Sequence, residues 1–227
     1  MTGRVPLPRS FPIDADGGLW CEISSGNFAA RPALFLDRDG VIVEDTHYLG
    51  RPEGIRMLPG AADAIARCNR LRIPIVLVSN QSGIARGLYD WEGFRAVQAA
   101  LAAALAAAGG HLDAVIACAY HGDGRAPLNV ADHPWRKPNP GMILAAGQQM
   151  KLDLPRSFIV GDRAIDLVAG RDAGLRGGVL VAANDGDPEC TAAEKLAANG
   201  FVVERAMSLA DAVAALVSRH RLGADAP

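Results

Sequence analysis

Four short stretches of this chain hold side chains able to do chemistry together. Asp37 and Asp39 stand two residues apart at the end of the apolar run "ALFLD", and Gly40 follows them. Ser79, Asn80 and Gln81 close a second apolar run, "IPIVLVSN" with the residue after it. Arg136 and Lys137 form a cationic pair after a long polar stretch. Asp162 ends "SFIVGD", and Asp166 lies four residues on, across a first helical turn. Two carboxylates as close as Asp37 and Asp39 repel, and each prefers water to a protein edge. Such crowding is tolerated where a ligand offsets its cost. Taken singly, each group is equally a cap or a solvated loop charge; the set together points to one reactive centre.

The elements that must position these groups follow from apolar patterning. "ALFLD", "IPIVLVSN" (73–80), "LDAVIACAY" (112–120), "SFIVGD" (157–162), "RGGVLVA" (176–182) and "FVVE" read as strands buried on both faces. Helical spacing marks 60–71, with Pro59 ahead of it, and 90–110, with Asp90 as N-cap and a glycine stop. It also marks 139–152, 163–174, a segment around "TAAEKLAANG", and 208–220. The Ala-rich stretch 99–108 is a strong helix former rather than a low-complexity tract. Alternating strands and helices predict an α/β fold, a three-layer, doubly wound, Rossmann-like parallel sheet with helices on both faces. In such sheets ligands sit outside the carboxyl ends of the strands, where all the residues above fall.

Composition narrows the function. The chain has 227 residues, half of them apolar, enough for one substantial core. A formal net charge of −2 gives no reason to expect nucleic acid or an anionic membrane as partner. No apolar run is long enough for a membrane span, and the N-terminus lacks an apolar secretory region. Cys21, Cys68, Cys118 and Cys190 are scattered without a C-x-x-C pair, which favours reduced thiols and a cytoplasmic setting. Residues 1–31, rich in Pro, Gly and charge, read as an N-terminal extension with a short strand near "LWCEIS" outside the core. Residues 32–220 read as the main domain and 221–227 as a tail.

The motifs "FLDRDG", "VLVSNQSG", "RKPNPG" and "VGDRAID", in this order at strand ends, resemble the phosphatase branch of the haloacid dehalogenase (HAD) superfamily. The resemblance covers roughly residues 33–217. The longer stretches "DRDGVIVEDTHYLGRPE", "SNQSGIARG" and "RKPNPGM" are similar to the D-glycero-D-manno-heptose 1,7-bisphosphate phosphatases, whose sister group is the histidinol-phosphate phosphatases. The resemblance implies a Mg²⁺-dependent phosphomonoesterase. Mg²⁺ takes hard oxygen ligands, here the Asp37 and Asp162 carboxylates and the Asp39 backbone carbonyl. Asp37 is implied as the nucleophile that becomes an aspartyl-phosphate, and Asp39 as the general acid and then base. Asp39 then needs a raised pKa, expected from its carboxylate neighbours. Ser79 and Lys137 are implied to steady the phosphoryl charge. Gly40 allows the sharp turn, and Asp166 is expected to orient Lys137 or a metal-bound water.

Neither the interval from Asp39 to Ser79 nor that from Ser79 to Lys137 has room for a cap domain, so a capless enzyme is expected. Specificity then falls to loops: Asp45, Thr46, His47 and Tyr48; Asn80, Gln81 and Ser82; and Arg136, whose planar fork suits a distal phosphate. The related enzymes often hold a structural zinc before "RKP" with three Cys and a His. Here only Cys118 remains near that place, and Cys118, His121, Asp132 and His133 are the substitute set, with Cys118 equally a packed core residue. Without zinc, the long loop 121–136 is expected to be held by packing around Trp135, Pro127 and Pro134. Heptose bisphosphate is the leading substrate. The alternatives are histidinol phosphate, transfer to an acceptor other than water, and a phosphosugar-binding protein without catalysis. A monomer acting on a small phosphorylated metabolite is expected.

Overall fold

The computed structural model describes residues 14–181, 186–197, 200–220 and 222–223. Seven strands form one sheet: β1 Leu19–Ile23, β2 Leu34–Leu36, β3 Ile75–Asn80, β4 Ala114–Cys118, β5 Phe158–Gly161, β6 Gly177–Val181 and β7 Val202–Ala206, in the order β1-β4-β3-β2-β5-β6-β7. Every neighbouring pair is parallel except β1 with β4. The helices are α1 Ala61–Arg70, α2 Ser82–Ala85, α3 Trp91–Ala107, α4 Gly141–Met150, α5 Ala164–Asp172, α6 Pro188–Glu194 and α7 Leu209–Arg219.

The two-residue period of a strand builds two cores. Leu34, Leu36, Ile75 and Leu77 pack with α1, α3 and α7 on one face. Phe35, Val76, Val78 and Ile159 pack with α4, α5 and α6 on the other. That is the expected three-layer arrangement. The N-caps agree with the sequence reading: the Gly93 amide donates to Asp90 Oδ1 at 2.9 Å at the start of α3. The intervals expected to lack a cap domain hold a 3₁₀ turn, α1 and most of β3 in the first, and α2, α3, β4 and a loop in the second.

Two boundaries are corrected. The strand near "LWCEIS" exists, but it is not outside the core. β1 pairs with β4 from Leu19↔Cys118 to Ile23↔Ala114, and Trp20 packs on Trp91 and Phe94. An apolar strand there covers an edge of the sheet that would otherwise be open. Leu222, assigned to a tail, is buried against the first core. Residues 1–13 lie outside the described residues. No helix among the described residues is long and apolar enough to cross a membrane.

Candidate active site

From β2 the chain runs to β3 and β4 on one side and to β5, β6 and β7 on the other. The carboxyl ends of β2, β3 and β5 therefore surround the point where the sheet order reverses, the usual place for a ligand. A cavity of about 270 Å³ lies there. Its lining includes Asp37, Asp39, Asp162 and Asp166, with Ser79, Asn80, Ser82, Arg136 and Lys137.

Lys137 organises its floor. The side chain is 2% exposed, and Nζ lies 2.9 Å from Asp37 Oδ1 and 2.7 Å from Asp166 Oδ1. It also donates to the Val78 carbonyl at 2.8 Å. Burial alone would lower the lysine pKa, but Asp166 and Asp37 outweigh it and push the pKa up, so the ammonium stays charged. Asn80 holds this residue by its backbone, accepting from Lys137 N at 3.0 Å and donating to Lys137 O at 2.9 Å. Asn80 therefore lines the cavity with both ends of its amide engaged, which makes it a positioning residue more than the free substrate contact expected.

Asp162 Oδ1 is buried without a hydrogen-bond partner, and ligand atoms of Asp37, Asp162 and Asp166 lie within 4.8 Å of one another. Burial, then Asp37 and Asp166, pushes the Asp162 pKa up to about 7. An unpartnered oxygen among crowded carboxylates is what a hard divalent cation satisfies, so the residues fit Mg²⁺. Asp166 already gives Oδ1 to Lys137 and Oδ2 to the Arg163 amide at 3.1 Å, which suits the orienting role. Gly40 has a φ of +75°, and a Cβ there would collide with the Asp162 carboxylate. Only glycine meets both demands.

Asp39 has a raised pKa, but the leading cause is burial; Arg38 opposes it, and Asp37 and Asp45 add smaller rises. The carboxylate neighbourhood expected to do this is secondary. Arg38, which the motif reading passed over, is 1% exposed and grips both Asp39 oxygens, Nε to Oδ1 at 3.0 Å and Nη2 to Oδ2 at 2.8 Å. The alternation of charge in "DRD" was its only sequence signal.

The rim is looser. Asp45, His47 and Tyr48 line the cavity, whereas Thr46 and Gln81 do not. The His47 amide donates to Asp45 Oδ1 at 2.7 Å with His47 at φ +68°, so a side-chain turn shapes this segment. Gln81 is buried and donates to Ser79 Oγ at 2.7 Å, a contact unavailable to substrate recognition. Arg163, another residue missed, also lines the cavity.

The zinc set does not converge. Cys118 Sγ is 3.9 Å from His133 Nδ1, but that nitrogen also takes the Trp135 amide at 3.2 Å. Asp132 accepts from Asn139 at 2.6 Å, and His121 faces Arg86 and Asp123. Burial pushes the Cys118 thiol up to about 12, as for a packed core residue. The loop is held instead by Tyr120 stacked on His133, ring centroids 4.0 Å apart and 10° from parallel. The Tyr120 hydroxyl bonds Asp14, ahead of β1, and the Tyr120 carbonyl accepts from Arg136 Nη1 at 3.1 Å.

Fold and site together define a HAD-type phosphatase. Comparison with known proteins agrees. A HAD-hydrolase-like family model matches residues 134–212. The chain is 48% identical over 179 residues to a D-glycero-β-D-manno-heptose-1,7-bisphosphate 7-phosphatase of Mesorhizobium japonicum, covering 78% of this chain and 80% of that one. It is 35% identical to the enzyme of that name from Yersinia pestis, covering 84% and 97%. Among solved structures, a HAD-like phosphatase from Mesorhizobium loti superposes with a TM-score of 0.80 at 41% identity, covering 99% and 100%. D,D-heptose 1,7-bisphosphate phosphatase of B. bronchiseptica, solved with magnesium and phosphate, gives 0.70 at 31%, covering 82% and 98%. The chain belongs to the heptose-1,7-bisphosphate 7-phosphatase family of HAD-like hydrolases.

Proposed function

We propose that this enzyme removes the 7-phosphate of D-glycero-D-manno-heptose 1,7-bisphosphate. The observation that carries the chemistry is Lys137, a buried ammonium bridging Asp37 and Asp166 directly beneath the cavity. An Asp37 carboxylate oxygen attacks phosphorus, and the bond from phosphorus to the sugar oxygen breaks. Asp39, whose pKa burial raises, gives a proton to that oxygen. A water then attacks the aspartyl-phosphate, Asp39 takes the water's proton, and phosphate leaves with Asp37 regenerated. Lys137 and Ser79 face the charge that builds on the phosphoryl oxygens. Asp37, Asp162 and the Asp39 carbonyl would hold Mg²⁺, which would supply positive charge to a cavity whose carboxylates outnumber its cations.

The substrate reading is supported by the family and by the rim, where Arg136 and Arg163 offer guanidinium forks to a second phosphate. The similar proteins above are named for the heptose bisphosphate, which favours it over histidinol phosphate. The buried cysteines, with no C-x-x-C pair among them, fit a reducing, cytoplasmic setting. The test is phosphate release with Mg²⁺ from both anomers of the heptose bisphosphate, sugar monophosphates and histidinol phosphate, with Asp37→Asn as control. Preference for a heptose bisphosphate is expected. Preference for another phosphate overturns the substrate and keeps the chemistry; equal release by wild type and Asp37→Asn overturns the chemistry.

A further inference from the structure

Tyr89 lies between α2 and α3 and is not part of the cavity lining, yet a chain of hydrogen bonds leads from it to the reaction centre. Its hydroxyl donates to Gln81 Oε1 at 2.6 Å, and Gln81 Nε2 donates to Ser79 Oγ at 2.7 Å. Gln81 and Ser79 are both buried, and the Gln81 backbone N–H donates to the Cys118 carbonyl at 2.7 Å. The Tyr89 ring fills the space beside Gly50 and Gly83, where a Cβ on either glycine would meet it.

Direction is what this chain of bonds fixes. A glutamine amide has one accepting and one donating end. The Tyr89 phenol donates to Gln81 Oε1, which leaves Nε2 facing Ser79. Burial pushes the Tyr89 pKa up to about 12, so the phenol keeps its proton in neutral solution. Ser79 Oγ now receives a hydrogen bond and has its own proton free. Ser79 lines the cavity beside Asp37 and Lys137, where a phosphoryl oxygen is the acceptor on offer. With the amide reversed, Oε1 would face Ser79 and draw that proton away from the phosphoryl group.

We propose that Tyr89 is a positioning residue which, through Gln81, aims the Ser79 hydroxyl at the transferring phosphoryl group. This rests on the phosphatase reading above. The test is steady-state kinetics of the full chain with p-nitrophenyl phosphate and Mg²⁺, a probe that has no second phosphate. Tyr89→Phe keeps the ring and removes the proton; kcat is expected to fall about tenfold with KM little changed, as for a contact that matters in the transition state. Gln81→Met, which keeps the volume and removes the amide, is expected to do the same. The decisive comparison is with Ser79→Ala. If Tyr89 acts through Ser79, adding Tyr89→Phe to Ser79→Ala changes kcat by less than about twofold. Wild-type kcat in both Tyr89→Phe and Gln81→Met overturns the proposal, as does an equal fall with and without Ser79. Wild-type enzyme inert toward the probe and the heptose bisphosphate alike would overturn the underlying phosphatase reading, and this proposal with it.

Discussion

Arg136 and Lys137 are neighbours in the chain but belong to two different regions. Lys137 is sealed in the floor, tied to Asp37, Asp166 and the Val78 carbonyl, with its backbone clasped by Asn80. Arg136 is partly exposed and rests one N–H on the Tyr120 carbonyl of the loop. The floor is built of strand ends and buried charge pairs, where removing one partner strands the other in a poor solvent. The rim is built of turns and loop contacts, such as the Asp45 turn and the Tyr120–His133 stack. The difference teaches that this fold holds the phosphoryl chemistry rigidly and leaves recognition of the rest of the substrate to parts that tolerate change.

The sharpest way to break that division is at Asp37, the proposed nucleophile. Asp37→Asn is expected to lower kcat by at least about 10⁴-fold, in line with loss of a nucleophile elsewhere, while circular dichroism shows an intact fold. Lys137→Met comes next. It leaves Asp37 and Asp166 unpaired, and urea unfolding is expected to show a loss of about 3–5 kcal/mol together with lost activity. A variant as stable as wild type would mean that the floor does not depend on its buried charge pairs. At the rim, Arg136→Ala is expected to raise KM for the bisphosphate by roughly 10- to 100-fold, the scale of lost hydrogen bonds to a charged group, with a much smaller change for p-nitrophenyl phosphate. Equal losses on both would place Arg136 in the floor.

Tyr120→Phe keeps the stack and loses the Asp14 bond, so a stability loss of about 1 kcal/mol is expected by urea unfolding. Chelation with EDTA is expected to abolish turnover, restored by Mg²⁺, without loosening the loop; loss of folded structure in EDTA would restore the case for a structural metal. The smallest effect concerns the thiols. Burial pushes Cys68 and Cys118 up to about 12, so a thiol reagent at pH 8 is expected to leave both unmodified until the protein is unfolded.

Much of the floor was legible in the sequence because Asp37, Ser79 and Asp162 end apolar runs, and the parallel topology brings such ends together. Asp37, Ser79 and Asp162 needed no more than that. What stayed hidden were contacts whose partners lie far along the chain. Asn80 and Gln81 look alike as polar residues after Ser79, yet one clasps a backbone 57 residues away and the other turns back on Ser79. Arg38 reads as a spacer between two acids and proves to be a buried clamp on Asp39. β1 was visible as a possible strand, but its place in the core depends on pairing with a strand about a hundred residues later. The rim was legible as a region and not as contacts, since exposed turns leave no periodic signal.

The central claim is that Asp37, set by the buried Lys137 pairing, carries the phosphoryl group. The most direct test mixes enzyme with heptose 1,7-bisphosphate and Mg²⁺, quenches in acid within the first turnover, and maps phosphoryl mass by peptide. A transient phosphoryl group on the peptide containing Asp37, accumulating further in Asp39→Asn, is the result expected. Phosphate released in that turnover with no such peptide, or with the group on another residue, would contradict the account.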